Sequence, residues 1–181
     1  GAQALQRLPA SARQAFVLPS EEIRRDALAW AAHEDAVRML NEALADRVAY
    51  ALVSQKAGGV VFETTLDPKH AHCKDRVRAV TMTSLRGDEI TGGTVVFCTL
   101  EAARSFTVAH ELGHTFGLRH SQQGAEIMYG WFVPHDPGGF SPREALAMSL
   151  MLQREPGNRF PDTDRVAAAS GERRTEVSVC H

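Results

Sequence analysis

Eleven residues, His110-Glu111-Leu112-Gly113-His114-Thr115-Phe116-Gly117-Leu118-Arg119-His120, place three histidines, a glutamate and the second of two glycines at a spacing suited to a catalytic zinc ion. Side chains four apart on an α-helix share a face, so His110 and His114 can direct two imidazoles at one metal. Glu111, next to the first of them, can reach a water on that metal without binding the metal itself. His120 cannot lie on the same face of the same helix, so the chain must turn before it. Gly117 is the residue that tolerates a left-handed, helix-ending conformation there. Three imidazoles leave one coordination position open, which separates catalytic from structural zinc. Zinc lowers the pKa of a bound water from about 15.7 to about 7, and Glu111 can take the proton of that water as it attacks a carbonyl and pass it to the leaving amine. The reaction class is hydrolysis.

Met128 extends the pattern, in Ala125-Glu126-Ile127-Met128-Tyr129-Gly130. The string HExxHxxGxxH followed by a methionine-containing turn resembles the metzincin metallopeptidases. Ser121 directly after the third histidine, and the spacing of Met128, make the chain most similar to their matrixin branch. The resemblance is specific over about residues 94–152 and loose elsewhere. It implies a zinc-dependent endopeptidase acting on protein or peptide, with one catalytic ion on His110, His114 and His120, Glu111 as general base, and Met128 as the apolar floor. It also implies a cleft along an edge strand. Thr94 to Thr99 is the candidate strand, with Thr94, Val95 and Val96 offering main-chain hydrogen bonds to an extended substrate. Tyr129, Gly130, Trp131 and Phe132 are the candidate wall of a specificity pocket. The matrixin pattern has a proline two residues after the methionine and a tyrosine four after it; here Gly130 and Phe132 stand at those places, so pocket shape does not carry over. Two other readings stay open: a narrow-specificity zinc hydrolase, and a non-proteolytic binding module that keeps the zinc. The intact Glu111 argues against the second.

These residues need a scaffold. Ser20-Glu21-Glu22 starts a helix, and an apolar stripe from Ile23 to Val48 predicts one long helix over about 20–46. Residues 13–18 and 47–53 are strand candidates; 60–66, 77–85 and 94–100 read as strands. Residues 101–116 read as the active-site helix, and Ser141-Pro142-Arg143-Glu144 opens a closing helix to about Gln153. The fold class expected is a metzincin-like α/β (α+β) arrangement, a mixed, mostly parallel twisted sheet with long helices and a small subdomain closed by a helix. One catalytic domain spans 1–181. Residues 1–117 are its upper subdomain, residues 118–155 its lower subdomain, and residues 156–181 a polar tail expected to be partly extended or loosely docked.

Composition narrows the rest. With 181 residues, 44% hydrophobic and 23% charged, the chain can bury a proper core. A net charge of −2 leaves no footprint for nucleic acid, and no apolar run is long enough to span a membrane. A monomer is expected. No leader is visible at Gly1-Ala2-Gln3, so the chain reads as mature or trimmed, secreted or periplasmic by resemblance, with a cytoplasmic location open. Cys73 and Cys98 can pair in an exported protein or stay free in a reducing one, with Cys180 left over. Cys180-His181 could swing onto the zinc, a thiolate displacing water, but the propeptide cysteine motif of the family is absent and the sequence weighs against it. His70-Ala71-His72-Cys73 reads as a polar loop rather than half of a second metal site. His33 and His135 read as surface residues. Scattered aspartates give no support for calcium.

Overall fold

A computed structural model describes residues 4–158 and 172–181. Six strands form one sheet: β1 (Gln14–Pro19), β2 (Ala49–Leu52), β3 (Val60–Leu66), β4 (Ala79–Arg86), β5 (Glu89–Phe97) and β6 (Arg173–Cys180), in the order β2-β1-β3-β5-β4-β6. The β2-β1, β1-β3 and β3-β5 pairings are parallel; β4 runs antiparallel to both β5 and β6. The sheet is thus mixed and mostly parallel, as expected. Five helices complete the described residues: α1 (Glu21–Arg25), α2 (Ala27–Leu44), α3 (Leu100–Ala103), α4 (Thr107–Phe116) and α5 (Pro142–Leu152).

Both expected long helices are broken. Asp26 leaves the helical region at φ −90°, ψ 112° and caps α2 by accepting a hydrogen bond from the Ala29 N–H at 2.9 Å. An aspartate competes with the helix for backbone donors, and apolar periodicity alone cannot register that. Between α3 and α4, Arg104 caps the end of the first and Phe106 the start of the second, with residues 104–106 in a turn. The two breaks are tied together, because the Arg104 guanidinium pairs with the Asp26 carboxylate. That ion pair, with the capping bond, holds the Asp26 carboxyl down at about 2.

The third correction concerns the sheet. Thr94, Val95 and Val96 lie on β5, which has β3 on one side and β4 on the other. An interior strand has no free main-chain groups, so these residues cannot take an added peptide. The sequence showed a β-branched run but not its place in the strand order. The tail takes the extended one of its two expected forms: residues 173–180 are a strand in continuous register on β4, rather than a loosely docked segment.

The core lies where α2 and α4 pack on the sheet. Phe62, Phe97, Phe116, Leu40, Leu44 and Leu112 are fully buried there, each such side chain contributing roughly 1.5–3 kcal/mol. Tyr50 stacks on Phe62, and its hydroxyl donates to Thr115 Oγ1 at 3.2 Å, fastening α4 to the sheet. A disulfide joins Cys73 to Cys98, linking the β3–β4 loop to the end of β5. Closing a loop of 25 residues in this way limits the unfolded chain and stabilises by about 3 kcal/mol. Cys73 is therefore no metal ligand. Arg7, also buried, donates from its guanidinium to the carbonyls of Met151, Leu152 and Arg154 at the end of α5.

His33 corrects a smaller expectation. It sits on the buried face of α2, its Nδ1 donating to the Ala29 carbonyl at 2.8 Å and its Nε2 accepting from the Thr64 hydroxyl at 2.9 Å. Burial pushes its pKa down to about 4. The unfolded chain takes up this proton near pH 6.5, so the stability from a neutral His33 is complete above that pH and is lost as pH falls toward 4, by on the order of 3 kcal/mol. Urea unfolding of the parent should weaken across that window, and His33→Asn, less stable at neutral pH, should show a shallower dependence. Equal slopes would refute the assignment.

Candidate metal centre and cleft

Helix α4 carries His110 and His114 on one face, four residues apart. Their ring orientations are set by the backbone. His110 Nδ1 donates to the Ile127 carbonyl at 2.6 Å and His114 Nδ1 to the Leu118 carbonyl at 2.8 Å. Each Nε2 is thereby left without its proton, the form that can ligate a metal. Gly117 ends α4 at φ 113°, its N–H returning to the His114 carbonyl, and the chain reverses to bring His120 back. A side chain at 117 would meet the Gln6 carbonyl, so the glycine serves both the turn and the packing. His120 Nε2 then lies 3.1 Å from His114 Nε2.

A fourth donor enters from β6. Cys180 Sγ lies 3.1 Å from His110 Nε2, 3.3 Å from His114 Nε2 and 3.4 Å from His120 Nε2. The four donor atoms all fall within 4.8 Å of one another. A tetrahedral zinc with nitrogen ligands near 2.0–2.1 Å and sulfur near 2.3 Å spaces its donors roughly 3.3–3.6 Å apart, so three imidazoles and a sulfur gathered like this fit that ion. Burial, then mutual repulsion, drives the His114 pKa far down; burial lowers that of His110 to about 4 and also lowers that of His120. Bare imidazoles that resist protonation face one point, which suits a cation. Burial, and then the neighbouring Glu111 carboxylate, push the Cys180 thiol well above its ordinary range.

Glu111 is wholly buried beside His110. Thr81 on β4 donates to its Oε2 at 2.5 Å, while Oε1 has no partner. Burial raises its pKa to about 7, against the lowering effect of hydrogen bonding to Cys180 and then to Thr81. One oxygen is thus held and the other is uncommitted, an arrangement suited to accepting a proton.

The floor is built from a second set of contacts. Met128, 1% exposed, lies against Gly113 between the two helical histidines, and a Cβ on Gly113 would collide with Met128 Sδ. The turn holding Met128 closes on itself, because Ser121 N–H donates to the Met128 carbonyl at 2.7 Å and Ser121 Oγ donates to Glu126 Oε2. Glu144 anchors it to α5, accepting from Met128 N–H at 2.8 Å and from Ser141 N–H at 2.7 Å. Sequence reasoning named Ser121 and the Ser141–Glu144 capping box but not this bridge to Met128. Thr81 and Glu126 had no signal of their own, since both act through residues far away in sequence.

The expected pocket residues do converge. Tyr129, Gly130, Trp131 and Phe132 line a small pocket of about 20 Å³ beside His110, together with Arg78, Phe106 and the terminal His181. Phe132 stacks on Phe106, and the Arg78 guanidinium lies 3.9 Å from the Phe132 ring centroid. Gly130 rests on the His120 ring, where an added Cβ would come within 3.3 Å of Cγ.

The family model for the matrixins matches residues 26–144, which is 119 of 181 residues. The chain belongs to the matrixin family. This matrixin is a zinc metalloendopeptidase with the mixed α/β fold of that group. Its fold is similar to that of high choriolytic enzyme 1, a hatching enzyme zinc-protease from the medaka fish Oryzias latipes, with a TM-score of 0.53 at 12% identity over 82% of this chain and 94% of the other. None of the curated proteins compared by sequence matches it. Among its described residues no helix is long and apolar enough to cross a membrane.

The fit between Gly113 and Met128 can be tested. Alanine is the better helix former by about 1 kcal/mol, yet Gly113→Ala should destabilise this matrixin by about 1–3 kcal/mol through overpacking. Met128→Ala in the same chain should recover some of that loss. Strict additivity in a thermal-unfolding double-mutant cycle would contradict the contact.

Proposed function

We propose that this matrixin cleaves internal peptide bonds of extended polypeptides with one zinc ion on His110, His114 and His120 and with Glu111 as general base. The observation that carries the reading is the convergence of three carbonyl-oriented or turn-oriented imidazoles beside a buried carboxylate with one uncommitted oxygen. When bound, zinc would acidify a water and polarise the scissile carbonyl. Glu111 receives the proton of the attacking water on Oε1 and returns it to the departing amine, while Thr81 keeps Oε2 fixed. Met128 excludes water beneath the histidines and holds α4 in place through Gly113. The cleft runs between β4 above and residues 129–132 below, the latter walling a pocket for a substrate side chain. One domain carries this, with residues 1–117 above the cleft and 118–155 below it, acting as a monomer. The Cys73–Cys98 disulfide supports an oxidising, exported setting.

Glu111→Gln should keep one zinc per chain and lose about 10²- to 10⁴-fold in cleavage of a peptide mixture. The comparison is best made in a Cys180→Ser background, which takes the sulfur out of the site. Cleavage at the parental rate would remove Glu111 from its role.

A further inference from the structure

Strand β6 lies on β4 over eight residues, from Ala79 opposite Cys180 to Arg86 opposite Arg173. Without it, β4 would be the free edge of the sheet, directly above the three histidines. Adding an antiparallel strand to such an edge is how sheet proteins take an extended peptide. Arg78 N–H continues the β4 pairing by donating to the Cys180 carbonyl at 2.8 Å, and the segment is also held from below, where Phe132 N–H donates to the His181 carbonyl at 2.7 Å. The His181 ring stacks on Trp131 at 5.2 Å and helps line the cavity beside His110. Further along, Glu176 pairs with Arg119 and Arg174 with Asp88. Main chain is therefore gripped on both walls of the cleft, with side chains seated on either side of the histidines.

Cys180 stands at the centre of this segment's grip. It is buried and is the free cysteine of the chain's three, the other two being joined. Its sulfur is within 3.4 Å of all three Nε2 atoms. We propose that Cys180 is a fourth zinc ligand and β6 a built-in occupant of the substrate cleft, so that the folded chain closes its own active site. The inference rests on the zinc reading above. Cys180 binds as thiolate, its proton leaving to solvent. Three histidines and one thiolate complete a tetrahedron, the closed set of a structural site, with no position left for water. Because the occupant belongs to the chain itself, a free peptide competes against an effective concentration that reaches the millimolar range. Activity requires β6 to leave β4.

The test loads the full chain and its Cys180→Ser variant with cobalt(II) in place of zinc. The parent should show an intense thiolate-to-cobalt charge-transfer band. The variant should bind one cobalt, lack that band, and cleave a peptide mixture at least about tenfold faster than the parent. Cobalt bound to the parent without the band, or equal rates in the two, would overturn the proposal while leaving the three-histidine site standing. Failure of either protein to bind cobalt would sink both readings. A measurement that needs no variant runs alongside. In the zinc-loaded parent, Cys180 should resist alkylation, and removing zinc with a chelator should speed its modification about tenfold or more. An unchanged rate would also overturn the assignment.

Discussion

Everything at the centre of this molecule depends on which ring nitrogens of His110 and His114 carry protons. The carbonyls of Ile127 and Leu118 take the Nδ1 protons and so aim both Nε2 lone pairs at one point. One carbonyl comes from the methionine turn and the other from the chain reversal after Gly117. Neither element can shift without releasing a histidine. The burial that strips water from these rings makes their convergence costly by itself, and a bound cation reverses the sign of that cost. The turns at Gly117 and Met128 can thus be read as orientation devices for two hydrogen bonds.

A chain of buried polar contacts supports those turns. Ser121 bonds to Glu126, Glu126 accepts from Ser141, and Glu144 accepts from both Ser141 and Met128. Two carboxylates in the lower half of the molecule are therefore spent on holding loops still. A buried network is worth having only when its members are satisfied, since an unpaired member costs more than an apolar replacement. Here each carboxylate bridges the methionine turn to the start of α5. The closing helix, distant from the histidines in sequence, thereby fixes the floor beneath them.

How much of this was legible in the residues varies with the range of the interaction. The ligand string, the helix-ending Gly117, the capping box at Ser141 and the strand at 60–66 are local patterns, and local physics writes them into short stretches of sequence. Strand order is not local. Thr94 to Val96 had the composition of an edge candidate, yet pairing with both β3 and β4 encloses them, and nothing within the segment records its neighbours. The same holds for Asp26, whose capping bond splits a continuous apolar stripe, and for His33, a polar residue made acceptable in the core by the hydroxyl of Thr64. The largest miss was β6. Its residues alternate polar and apolar but are rich in charge, and only the position of β4 shows why they are ordered. Cys180, which the sequence weighs against as a ligand, lies among the three histidines because that strand ends over them.

The eight-residue pairing of β6 with β4 also has a colloidal side. An uncovered edge strand is a template for other chains, and proteins guard against it with charges, bulges or a covering element. In this matrixin the cover is β6, whose outer residues include Arg173, Arg174 and Glu176. Were it displaced, the hydrogen-bonding edge of β4 would be open to any extended chain. The row of amides and carbonyls that β6 satisfies is thus the same row that edge-to-edge pairing would use, and β6 in place guards it.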